Sequence, residues 1–156
     1  MPAIAGVQCV RDGETLTLGD VTVTARATPG HTPGSTSWTW RSCAGGLCKD
    51  LVLAARLNPI WSDGYRYPAH PALSESFRRA FDTVRALPCD ILFSSHPSAS
   101  GQDFRHAAVA RGEQLNPFID PEACRACADG HQRRFDERLG QVAGRDRRLS
   151  ETAGAL

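Results

Sequence analysis

Hydrophobic positions alternate along the first part of the chain and recur at helical spacing along the second. "ETLTLGDVTVTARA" alternates through Leu16 and Leu18, then Val21, Val23 and Ala25, across a Gly19-Asp20 pair suited to a two-residue hairpin turn. Two antiparallel strands are predicted. "STSWTWRSCAGGLCKDLVLAA" predicts a second hairpin, and Cys43 and Cys48 flank its "AGGL" loop at a spacing that lets a disulfide close the turn. Two unconnected thiols are the alternative.

From Ser74 to Leu87, Phe77, Ala80, Phe81, Val84 and Leu87 share one helical face, with Pro88 as the stop. "CDILFSSHP" then gives a short continuous apolar strand, Ile91 to Phe93, running into His96. "DFRHAAVARG" predicts a second helix. "PEACRACADGHQRRFDERLGQVAG" predicts a third, whose stripe is Cys124, Cys127, Ala128, His131, Phe135, Leu139 and Val142. After Gly144 the pattern stops, and "RDRRLSETAGAL" reads as a polar tail. Strands mixed with helices make this an α/β protein, and 156 residues make it one domain, over residues 1–143 with a tail at 144–156.

Charge narrows the function. Lys and Arg number 18 against 17 Asp and Glu, a net charge of +1 that gives no field to gather nucleic acid or anionic lipid. No apolar run approaches the roughly 18 residues that a membrane span needs. Six cysteines are many for a reducing compartment, yet the start "MPAIAGVQCV" carries no export signal. The two are reconciled if the chain begins partway through a longer exported protein.

Two histidines share a setting. His31 sits in "PGHTPG" and His96 in "SSHPSAS", each after a predicted strand and each next to Gly, Pro and small hydroxyl residues. Rigid backbone on either side presents an imidazole to a metal, and neighbouring hydroxyls can orient the ring.

Through "GETLTLGDVTVTARATPGHTPGSTSWTW", "FRRAFDTVRALPCDIL" and "SSHPSAS", from about Asp12 to Val142, the sequence resembles the class B metallo-β-lactamases of the third subclass, zinc enzymes of the αββα fold. The resemblance implies the C-terminal βα half of that sandwich, a mixed sheet with about three helices on one face. It implies two zinc ions, a β-lactam substrate, antibiotic resistance as the role and a periplasmic or secreted location. In the family, four of six zinc ligands lie in an N-terminal HxHxDH motif, and the other two correspond to His31 and His96. No HxHxDH occurs in these residues; His70, His106 and His131 are isolated. A catalytic zinc needs about three protein ligands, so one histidine per metal leaves the chain inactive or weakly active by itself.

A second departure lies at "LVLAARLNP", where the family more often reads Asp-Ser-Leu-Ser or Asp-Ser-Leu-Thr. Ala55 and Arg56 replace the acid and the serine, and Asn58 the second hydroxyl residue. Arg56 and Asn58 are thus candidates for binding the substrate carboxylate. Arg56 could equally place a cation where the second zinc would sit, or point to solvent.

The resemblance also pairs Cys89 with Cys124. The rival is a structural zinc on Cys124, Cys127 and His131, at i, i+3 and i+7 of one helix. Cys9 and Cys127 are left over, to pair with each other or with another chain. The competing function class is a non-catalytic, cysteine-stabilised fragment or binding module. Half a sandwich leaves a sheet face bare, to be covered by the absent N-terminal half or by a second copy in a homodimer.

Overall fold

A computed structural model describes residue 6 and residues 8–59, 67–112 and 116–153, with backbone alone at 68 and 145–153. Five strands form one mixed sheet in chain order: β1 (Thr15–Leu18), β2 (Val21–Ala27), β3 (Thr36–Ala44), β4 (Leu47–Ala54) and β5 (Ile91–Ser94). The first four pair antiparallel and β5 lies parallel to β4. Gly19 has the positive φ of 61° that the turn between β1 and β2 needs. In the second hairpin Gly45 and Gly46 play the same part, at 58° and 81°, and Cys43 stands opposite Cys48 in register.

The parallel step from β4 to β5 requires a crossover, which α1 (Pro71–Ala86) supplies. It starts three residues before the expected Ser74, because Pro71 fits a first helical turn, where its missing N–H is no loss. Two further helices follow, α2 (Gln102–Ala110) against the short turn after β5, and α3 (Ala123–Ala153). The backbone of α3 runs helically past Gly144, where the sequence suggested a tail; residues 154–156 lie outside the described residues.

The core lies between the sheet and the pair α1 and α3. Val52, Ala54 and Leu92 come from the sheet, Phe77, Ala80, Phe81 and Val84 from α1, and Cys124, Ala128 and Phe135 from α3, all buried. Phe77, Phe135 and Tyr67 form an aromatic knot with ring centroids 5.4 to 5.7 Å apart. Arg85 locks the two helices at the rim, its Nε 2.8 Å from Asp129, and Arg78 reaches Asp136 at 3.1 Å. A disulfide joins Cys89, just before β5, to Cys124 on α3, and a second joins Cys43 to Cys48. Both expected pairs are present.

The other face of the sheet is also apolar. Period-two alternation sends Leu16, Val23, Trp38, Trp40, Leu51, Leu53 and Phe93 away from the helices. Leu16, Leu18, Val21 and Leu53 are exposed there, and Trp40 stacks on Phe93 at 6.3 Å. β4 and β5 are apolar on both sides, as an inner layer of a sandwich would be, whereas β1 and β2 turn Thr15, Thr17, Thr22 and Thr24 to the helix side.

Candidate metal-ligand site at the strand ends

The loop after β2 carries His31, and its own hydroxyls hold its shape. The Thr32 amide donates to Ser35 Oγ at 3.1 Å, and Thr28 N–H closes the loop on the Ser35 carbonyl at 2.9 Å. Below it, the buried Ser37 hydroxyl meets Thr28 Oγ1 at 2.9 Å and accepts the Ala55 N–H at 3.0 Å. One serine on β3 therefore joins the loop of His31 to the loop of Arg56 and Asn58. Gly30 explains why this loop can sit on α1, since a Cβ there would lie 2.7 Å from Cδ1 of Phe77.

His31 is half-buried, and its Nδ1 lies 3.2 Å from the Asn58 carbonyl oxygen. With Nδ1–H donating to that oxygen, Nε2 keeps its lone pair. His96 follows β5 and is exposed; its amide donates to Ser94 Oγ at 3.3 Å.

A cleft of about 330 Å³ opens beside these loops. It is lined by Arg56, Asn58, Ser94, His96 and Ser98, with His131 and Arg134 from α3. Three of the four expected site residues, Arg56, Asn58 and His96, thus share one cleft. His31 does not line it and is tied only to the main chain of Asn58. His131, which the sequence offered only as a ligand of the rival structural zinc on α3, is a wall residue of this cleft instead. The ring is only 6% exposed, its Nδ1 has no hydrogen-bond partner, and burial followed by the nearby Arg134 pushes its pKa below the usual imidazole value. Arg56 likewise has a buried Nε without a partner.

The fit to zinc is partial. The Asn58 contact occupies Nδ1 of His31 and not Nε2, but among the described residues no group of three or more His, Cys, Asp or Glu could hold a metal. The rival structural zinc on α3 loses Cys124 to its disulfide, leaving Cys127 and His131. Cys127 is a free, half-buried thiol whose pKa burial pushes up to about 11, and Cys9 is a free, exposed one, so the two are not joined to each other.

No protein-family model matches the chain. Solved structures do. The Rm3 metallo-β-lactamase is 40% identical, with a TM-score of 0.85 over 91% of this chain and 54% of its own. MEM-A1, a subclass B3 metallo-β-lactamase from a soil metagenome library, is 39% identical, with a TM-score of 0.83 over 93% of this chain and 56% of its own. BJP-1, a subclass B3 enzyme of Bradyrhizobium japonicum, is 29% identical, with a TM-score of 0.80 over 92% and 54%. By fold and by sequence the chain belongs to the subclass B3 metallo-β-lactamases, and it spans about half the length of these relatives.

Proposed function

We propose that these residues act as the C-terminal half of a zinc-dependent β-lactamase, with His31 contributing to one zinc site and His96 to the other. The observation that carries the reading is the His31–Asn58 hydrogen bond inside an intact GHTPGS loop, which leaves Nε2 of His31 free for a metal. A bound zinc would supply hydroxide near neutral pH and polarise the lactam carbonyl. The chain's own part is to hold two imidazoles at the strand ends, with Arg56 and Asn58 lining the cleft beside them as candidates to receive the substrate carboxylate. Two disulfides fit an oxidising compartment, and we place the protein in the periplasm or outside the cell. Among the described residues no helix is long and apolar enough to cross a membrane.

The remaining ligands would come from an HxHxDH segment, which residues 1–156 lack. Refolding the chain together with the HxHxDH-bearing half of a subclass B3 relative tests this. Zinc-dependent hydrolysis of a chromogenic cephalosporin, abolished by chelator and lost in His31→Ala, is the expected result. A folded complex without turnover, or turnover indifferent to chelator and to His31→Ala, would contradict it.

A further inference from the structure

His31 and His96 stand in different surroundings. The His31 ring has a neutral partner, the Asn58 carbonyl oxygen 3.2 Å from Nδ1, and such a partner raises the basicity of the other ring nitrogen. Among the described residues the His96 ring has no hydrogen-bond partner; only its amide is engaged, by Ser94 Oγ. His96 also lines a cleft that His31 does not, together with Arg56 from the loop after β4 and Arg134 from α3. Among the described residues no carboxylate lines that cleft, and neither guanidinium is ion-paired to one. A divalent cation at His96 therefore meets two like charges and no counter-charge.

We propose that Arg56 and Arg134, by lining one cleft with His96, make its position the weaker of the two zinc sites, so that zinc reaches His31 first and His96 only at higher concentration. The inference rests on the assignment of the two histidines to separate zinc sites. Arg56 is half-buried, so its charge is less screened by water and salt, whereas Arg134 is exposed and acts mainly at low ionic strength. His131 on the same wall is buried, and burial disfavours its charged form, so it adds an imidazole and no third charge near neutral pH. At limiting zinc a guanidinium charge, and not a second metal, then stands beside His96.

The test is a zinc titration of the full chain at low ionic strength, with the ring signals of all five histidines followed by NMR. The His31 ring is expected to shift at lower zinc than the His96 ring. Arg56→Ser and Arg134→Gln should each tighten zinc at His96 by about threefold to tenfold and leave His31 unchanged, the effect of removing one nearby charge. Arg134→Gln alters an exposed side chain, and a thermal melt confirms that each variant folds. Added sodium nitrate should narrow the gap between the two rings, which a merely structural effect of either substitution would not do. A His96 ring that shifts at the same or lower zinc than His31, alone or jointly with His131, would overturn the proposal. So would a His96 response identical in wild type and both folded variants, or no zinc-dependent shift of either ring. A refolded complex without turnover but with this order of filling would sink the hydrolytic reading alone, and turnover with the reverse order would sink only this one.

Discussion

His31 Nδ1 lies 3.2 Å from the main-chain oxygen of Asn58, 27 residues further along the chain. That contact joins the loop after β2 to the loop after β4, and it depends on how closely Gly30 packs on Phe77. Gly30→Ala would place a Cβ against a buried ring of the core. We expect a loss of about 1–3 kcal/mol by urea unfolding, the usual cost of overpacking, together with a change in the His31 ring signals. Unchanged stability would mean that the loop does not rest on α1.

The two disulfides should contribute unequally. Cys89–Cys124 spans 35 residues and Cys43–Cys48 only 5. Loop-closure entropy assigns about 4 kcal/mol to the long loop and about 2 kcal/mol to the short one. Paired Cys→Ser replacements followed by denaturant melts should preserve that order. Equal losses, or a larger one from Cys43–Cys48, would refute it.

Two groups set the dependence of stability on pH. His131 titrates lower when folded than its ordinary 6.5, so the unfolded chain binds the extra proton and stability falls as pH drops below about that value. Asp90 is held below its ordinary 3.8, first by the Asp50 N–H and then by Lys49. Its contribution is present above that value and fades as pH falls through the lower, folded one. Melting should therefore weaken in two stages, near pH 6 and again below about pH 4. His131→Gln should flatten the first stage and Asp90→Asn the second. A slope unaltered by either variant would exclude these groups as the cause.

Strand and helix identities could be read from the sequence because alternation and helical spacing are local signals. Val52 and Leu92 declare the helix side of the sheet, and Trp38, Trp40 and Phe93 the other. The extent of α3 was less legible: past Gly144 no apolar stripe remains, although the helical backbone continues to Ala153. His31 and His96 stood out because Gly and Pro flank them. His131 stood out only for the wrong site, as a third ligand beside Cys124 and Cys127, because its place on the wall of a cleft with Arg56 and His96 depends on loops distant in sequence. The joining of those loops by Ser37 was equally hidden, since Thr28, Ser37 and Ala55 meet only in three dimensions.

The apolar sheet face opposite α1 and α3 predicts association. Leu18 is 87% exposed and Leu53 38%, on a sheet that also carries Trp38, Trp40 and Phe93 on that side. Residues 1–156 by themselves should sediment as a dimer or larger species at micromolar concentration and bind a hydrophobic dye. A monodisperse monomer with a sharp melt and no dye binding would show that this face needs no cover.

The most direct test of the central claim, that this chain supplies only part of a zinc site, is steady-state turnover of a chromogenic cephalosporin by residues 1–156 alone in excess zinc. On the proposed assignment His31 and His96 would each give one ligand to a separate metal, too few to hold an open tetrahedral ion, so the rate should equal that of the buffer with zinc. A rate above that background that vanishes with chelator and in His31→Ala would contradict the account.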